Sequence, residues 1–141
     1  MASLANLCYD KTHLGAVQRE QLVNVGGIEC IVLSMTVQLA SPEVQDWGCR
    51  LVYMLSASGF EAQATGAGCV ERVISAMFTH PEAACVQQWA IESLQLLSDS
   101  GSTVHRIKAA NGVELVKQAM AAAEATYSTR VCGDKLLNKL R

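Results

Sequence analysis

Histidine and cysteine are the side chains of this sequence best suited to chemistry, because imidazole and thiolate serve as bases, nucleophiles and metal ligands. The histidines lie in three separate segments, and no two cysteines have CxxC spacing. These residues are His13, His80, His105, Cys8, Cys30, Cys49, Cys69, Cys85 and Cys132. With the aspartates and glutamates they show no metal-ligand spacing, so the sequence predicts no metal site.

Cys85 and His80 are close enough in sequence to suggest a cysteine nucleophile with its base. Nothing near them supplies an oxyanion hole or an orienting acid. The glycines of Gly66-Ala67-Gly68 lack the lysine and the preceding strand of a phosphate-binding loop. The sequence therefore predicts no catalytic centre and no cofactor. We interpret the cysteines as small buried apolar residues in a reducing compartment, which indicates a cytoplasmic protein.

Composition excludes several classes of partner for this chain of 141 residues. Half of the residues are apolar, the net charge is -2, and no basic stripe is present for binding to nucleic acid. The longest uncharged run, Cys30 to Pro42, is too short to cross a bilayer. The N-terminus has no basic start, so no signal peptide is expected, and neither nucleic acid nor membrane is predicted as a partner.

The sequence repeats itself at a period typical of stacked helical units. The segment that begins at Val44 and contains Trp47 returns at Val86 with Trp89, an offset of 42 residues. A weaker copy follows after a further 43 residues. The matched positions are Ile28/Val70/Val113, Glu29/Glu71/Glu114, Met35/Met77/Met120, Gly48/Ala90/Gly133 and Leu55/Leu97/Leu140.

Each period is predicted to hold a short helix, a glycine turn, a middle helix and a long helix. Apolar residues recur every three or four positions, the spacing of one helix face. Ser41-Pro42 is predicted to begin one long helix, and Thr79 to Glu82 to begin the next. The remaining helices are expected at 13–24, from Ile28, at 60–67, from Val70, at 103–109, from Val113, and from 125 or 127 to 140. The segment Ser3–Leu7 is interpreted as the end of an incomplete helix.

This pattern resembles the armadillo repeat family over nearly the whole chain. The resemblance rests on a Gly-Gly-Ile or Asn-Gly-Val turn, a Val-Gln opening, a small residue and Leu-x-x-Leu. It implies an all-α fold, a right-handed α-solenoid of three-helix repeats forming a single domain over residues 1–141. The expected divisions are a partial, atypical repeat at 1–24 and repeats at 25–57, 58–100 and 101–141. A HEAT repeat, with two helices per unit, is the alternative.

The resemblance also implies a non-catalytic protein-interaction module whose long helices line a concave face. The residues expected there to bind a peptide or a partner helix are Asn6, Trp47, Arg50, Met54, Trp89, Glu92, Leu96, Lys135 and Lys139. The central row of Arg50, Glu92 and Lys135 alternates in charge, unlike the acidic groove of nuclear-import members. Two interpretations of Trp47 and Trp89 stay open, burial between repeats and contact with a ligand.

Alternative functions follow from the ends of the repeat array. Leu4 and Leu7 at the start, and Leu136, Leu137 and Leu140 at the end, are expected to lack a covering repeat. The chain is then a structural segment of a longer array, or it associates with itself through uncapped ends. A helical enzyme or a cofactor-binding protein is a further alternative.

Overall fold

The computed structural model describes residues 13–141, and within that range the regular structure is helical throughout, without strands. The helices are α1 (His13–Asn24), α2 (Gly27–Val37), α3 (Pro42–Leu55), α4 (Glu61–Gly66), α5 (Cys69–Thr79), α6 (Ala84–Leu97), α7 (Gly101–Ala109), α8 (Gly112–Ala121) and α9 (Tyr127–Leu140). A π-type turn at Ser56–Phe60 follows α3 and is interrupted at Gly59, whose φ is 94°. The all-α prediction is confirmed for these residues. The segment Ser3–Leu7, with Asn6, lies outside them.

In the second and third repeats a short, a middle and a long helix follow one another, whereas the leading helix α1 of the first repeat has 12 residues, one more than the middle helix α2. The long helices α3, α6 and α9 pack side by side, with α6 in the centre of what we call the long-helix row. The middle helices α2, α5 and α8 form a second row, and each packs against the long helix that follows it. No described helix is both long and apolar enough to span a bilayer.

A left-handed residue precedes each middle helix and turns the chain. Gly26, Gly68 and Asn111 take φ values of 83°, 93° and 62°. Glycine adopts this conformation without a steric penalty, and asparagine tolerates it better than most residues. The turn therefore recurs at the interval of the sequence repeat.

A buried glutamine ties each of the first two long helices to its middle helix. Gln45 Nε2 donates to Met35 O and Gln38 O, both at 3.0 Å. One repeat later, Gln87 Nε2 donates to two carbonyls at the end of α5, at 3.0 and 2.8 Å. Carbonyls at a helix C-terminus have no partner within the helix, so these amides satisfy groups that burial would otherwise leave unpaired.

Small residues on the long helices allow close packing against methionines on the middle helices. A Cβ atom placed on Gly48 would lie 2.5 Å from Met35 Sδ, and one on Gly133 would overlap Met120. The central repeat has Ala90 at this position, and it is completely buried. The small residues at these matched positions thus let the long helices approach the middle helices closely.

Polar contacts join the second repeat to its neighbours. Ser93 Oγ lies 2.8 Å from Cys49 O and 2.7 Å from Trp89 O, inside the long-helix row. Arg106 on α7 donates from Nε and Nη2 to the two carboxylate oxygens of Glu71 on α5, both at 2.7 Å. Burial alone would raise the pKa of Glu71, but the Arg106 hydrogen bonds and charge lower this pKa below its usual range.

The two predicted starts of long helices have different outcomes. Ser41 caps α3 as predicted, since its Oγ accepts from Val44 N at 3.4 Å. The prediction that Thr79 to Glu82 would begin the next long helix was wrong. That helix begins at Ala84, after Ala83, which offers no capping side chain, because Pro81 and Glu82 form a turn.

The end of the array is covered better than the sequence suggested. Leu136 is fully buried and Leu140 is 4 % exposed, while Leu137 is partly buried. The α9 helix turns these leucines toward α6, α7 and α8, the helices it contacts. The expectation that Leu136 and Leu140 lack cover was therefore wrong.

Candidate functional site

Nucleophilic and metal-ligating side chains are scattered through the described part of the chain. Within residues 13–141, no group of three or more His, Cys, Asp and Glu side chains is arranged to hold a metal ion. His80 Nε2 lies 2.7 Å from Leu39 O and makes its contact with that carbonyl. Burial raises the pKa of the Cys49 thiol, and burial raises the pKa of the Cys69 thiol to about 12. Both thiols are therefore poor nucleophiles at neutral pH.

The candidate binding site is the surface of the long-helix row, which we call the long-helix face. Its described members are Trp47, Arg50, Trp89, Glu92, Leu96, Lys135 and Lys139. Trp47 and Trp89 are partly buried and pack against the core, yet both retain exposed surface. The structure therefore shows both tryptophans partly buried, and their contact with a ligand stays a prediction.

Arg50 lies between the two tryptophans. Its guanidinium carbon is 4.9 Å from the centroid of the Trp47 ring and 5.1 Å from that of the Trp89 ring. Trp47 and Arg50 share α3, whereas Trp89 belongs to α6, so the stack bridges two repeats. A guanidinium over an aromatic ring is attracted by the negative charge of the ring face. The residue expected to bind beside the tryptophans thus occupies the space between them.

Two further side chains hold this stack in place. Arg50 Nε donates to Asp46 Oδ1 at 3.1 Å, one helical turn earlier. The ring of Tyr53 meets the ring of Trp89 edge to face, with centroids 5.4 Å apart and an interplanar angle of 61°. Such aromatic pairs stabilise by about 0.5–1.5 kcal/mol beyond area burial. Asp46 consequently orients Arg50, and Tyr53 orients Trp89.

Glu92 occupies the centre of the face and is fixed by hydrogen bonds. Its Oε1 accepts from Gln88 Nε2 at 3.2 Å on the same helix and from Ser128 Oγ at 2.6 Å on α9. Thr126, just before α9, donates to Gln88 Oε1 at 3.1 Å. This network orients the carboxylate and joins the second and third repeats.

The C-terminal part of the face is basic. Lys135 and Lys139 are both exposed. Lys139 Nζ donates to Gln95 O at 2.9 Å and to Asp99 Oδ1 at 2.6 Å, which neutralises part of its charge. Along the row the charges run positive, negative and positive from Arg50 to Glu92 to Lys135.

The structure changes the membership of the predicted site. Met54 is only 7 % exposed and belongs to the core, so its expected place on an accessible surface was wrong. Tyr53, one residue earlier, takes part in the aromatic contact instead. Tyr53 and Met54, three and four residues after Arg50, can both lie on the same helix face as Arg50. The packing of α3 against α6 determines which of them is exposed. Asn6 lies outside the described residues.

Asp46 and Ser128 are site residues that the sequence patterns did not identify, for different reasons. Asp46 and Arg50 are four residues apart, the spacing of an ion pair on a helix, so the sequence alone could have predicted their contact. The contact of Ser128 with Glu92 joins residues 36 apart and requires the arrangement of α6 and α9. No local pattern in the sequence marks it.

Comparison with protein-family models, with curated proteins and with solved structures gives no match for this chain.

Proposed function

We propose that this chain is a right-handed, armadillo-type α-solenoid that acts as a non-catalytic, cytoplasmic protein-interaction module. Its support is the threefold recurrence of a middle and a long helix after a leading helix, together with the equivalent left-handed turns at Gly26, Gly68 and Asn111 and the glutamine contacts of the first two repeats. In this proposal the long-helix row is the concave face, and a peptide or a partner helix lies across it. Free cysteines, two of them deeply buried, suit a reducing compartment.

One observation carries the binding proposal, the stack of Trp47, Arg50 and Trp89 on the long-helix face. Tryptophan, tyrosine and arginine are the residues that contribute most to protein interfaces. Here they are already ordered by contacts within the chain, so a partner does not have to immobilise them on binding. Rigid aromatic surface of this kind would contact apolar side chains of the partner.

The charges on the face suggest the order of charges on the partner. A complementary segment has an acidic group opposite Arg50, a basic group opposite Glu92 and an acidic group opposite Lys135. Arg50 and Glu92 are held by internal contacts, so they contribute mainly to the register and orientation of the partner. Contact with the tryptophans then supplies most of the affinity.

Selection of peptides from a random displayed library tests this proposal, because the selection itself supplies a ligand. We expect Trp47→Ala to weaken binding of the selected peptides by about 30-fold or more, the effect of losing a hot-spot residue. Phe78→Ala is the matched control, because Phe78 is an aromatic residue 75 % exposed on a middle helix. Far-UV circular dichroism establishes that each variant is folded. Equal loss with both variants, or with neither, refutes the proposed site.

A second candidate is self-association, or stacking on further repeats, through the first described repeat. Val25, Leu33 and Val37 are 80 %, 62 % and 73 % exposed around α2. Light scattering over a concentration series checks this candidate. A mass that rises with concentration, and falls again in a Leu33→Lys variant, supports self-association; a constant monomer mass removes it.

A further inference from the structure

A cleft of about 490 Å³ lies between the turn that joins α5 to α6 and the turn that joins α8 to α9. It shares no residue with the long-helix face. Its lining includes Pro81, Glu82, Gln87, Ala122 and Glu124. The adjoining recess has the same five residues and also reaches Thr129. The junction between the second and third repeats is therefore open at this edge of the molecule.

The junction between the first and second repeats is closed at the corresponding place. There His80 Nε2 donates to Leu39 O at 2.7 Å and draws the two turns together. The residue equivalent to Leu39 in the second repeat is Pro81, 42 positions later, and the residue equivalent to His80 in the third repeat is Ala123, 43 positions later. A methyl group has no proton to donate to the Pro81 carbonyl, so the closing hydrogen bond is lost. The cleft lies at the junction that lacks this hydrogen bond.

The open cleft presents oxygen acceptors to a ligand. Glu82 and Glu124 line it, and neither carboxylate forms an ion pair with any residue in the described part of the chain. The cleft-lining residues include no lysine, arginine or histidine. A cation entering between these carboxylates is thus attracted without competition from a basic residue in the lining.

Gln87 adds a third oxygen and is the best-ordered part of the cleft. Gln87 is 6 % exposed, and its Nε2 donates both protons in hydrogen bonds to the carbonyls of Met77 and His80. Within residues 13–141, its Oε1 accepts no hydrogen bond. The equivalent Gln45 Oε1 is also without a partner among the described residues, but it is sealed in the core of the closed junction. An oriented acceptor with unused capacity, on a side chain held by two hydrogen bonds, stabilises a donor that reaches it.

We propose that this cleft binds the cationic side chain of a polypeptide, the ammonium of a lysine or the guanidinium of an arginine. These groups carry several N–H donors and no acceptor, which matches two carboxylates and one amide oxygen. The alkyl stem of the side chain would lie along Ala119, Ala122 and Ala123, which supply the apolar part of the lining. A metal ion suits the site less well, since the described residues form no metal-ligating cluster.

Titration of the full chain with small probes, followed by ¹⁵N NMR, tests this assignment. The probes are N-acetyl-lysine methylamide, N-acetyl-arginine methylamide and the neutral N-acetyl-citrulline methylamide, all at constant ionic strength. We expect saturable shifts of the Gln87 side-chain amide and of the Glu124 backbone amide with at least one cationic probe. The comparison of lysine with arginine decides which cation the cleft prefers.

Variants separate a built site from general charge attraction. E82Q/E124Q should weaken binding about tenfold or more, because it removes both charges. Ala123→His, which places a histidine at the position equivalent to His80, should abolish binding by filling the cleft. The matched control is Glu43→Gln, an exposed glutamate that also follows a proline and lies outside the cleft. The proposal is overturned by the absence of saturable shifts, by equal binding of the citrulline probe, by equal shifts with magnesium chloride, or by equal weakening in Glu43→Gln.

Discussion

Replacing Arg50 with alanine has a cost that follows from its contacts. The substitution removes two cation–π contacts, with guanidinium carbon to ring centroid distances of 4.9 and 5.1 Å, and an i,i+4 ion pair with Asp46. A cation–π contact at a partly exposed site is worth about 0.5–1 kcal/mol. An ion pair of this kind adds about 0.3–0.5 kcal/mol. The expected loss in free energy of unfolding is therefore about 1.3–2.5 kcal/mol.

Urea denaturation of the full chain measures this loss, and a double-mutant cycle assigns it. R50A, W89A and the double variant should show a coupling energy of about 0.5–1 kcal/mol, the size of one cation–π contact. Arg130→Ala is the control, since Arg130 is exposed on α9 and should cost about 0.5 kcal/mol or less. If R50A and W89A are additive within about 0.3 kcal/mol, the stack contributes nothing and the reasoning is refuted.

Three further predictions address the fold that carries the site. Leu94→Ala should lower the free energy of unfolding by about 2–5 kcal/mol, because Leu94 is fully buried. Gln95→Ala should lower it by about 0.5 kcal/mol or less, because Gln95 is partly exposed. Similar losses for the two variants would mean that the side of α6 that faces the core was assigned wrongly. Gly133→Ala should cost about 1–3 kcal/mol in the same urea assay, because the added methyl group overlaps Met120. The pKa of Glu71 is lowered in the folded chain, so its ion pair with Arg106 stabilises the fold fully at pH values above the ordinary glutamate pKa. This stabilisation is lost as the pH falls through the lowered pKa. Glu71→Gln should flatten the fall in the free energy of unfolding at acid pH, and an unchanged dependence on pH would contradict the assignment.

Much of the helical organisation could be predicted from the sequence, because its signals are local. Gly26-Gly27 marks a helix boundary through its backbone conformation, and Ser41-Pro42 marks one through capping. A helix begins at each of these positions, as predicted. Apolar spacing marked one face of each helix for the same reason, and matched positions such as Leu55 and Leu97 are buried. The start of α6 was missed, since Pro81 allows a turn as readily as a first helical residue.

The site could be predicted less completely, since it depends on contacts between repeats. The sequence placed Arg50 beside the tryptophans, but its position between the two rings requires the packing of α3 against α6. Tyr53, and not the adjacent Met54, reaches the surface because of how α3 is rotated about its own axis. The two positions differ by less than half a helical turn, so residue spacing alone does not decide between them. The burial of Leu136 likewise depends on how α9 lies against its neighbours.

The most direct test of the proposed binding face is to observe the two tryptophans while a ligand binds. Trp47 and Trp89 are the only tryptophans in the sequence, so their indole N–H resonances can be assigned with W47F and W89F variants. On titration with a peptide selected from the displayed library, both indole resonances should shift and saturate with the binding isotherm. Unchanged indole resonances, with saturable shifts confined to amides around Phe78 on the middle-helix row, would contradict the proposal that the long-helix face binds the partner.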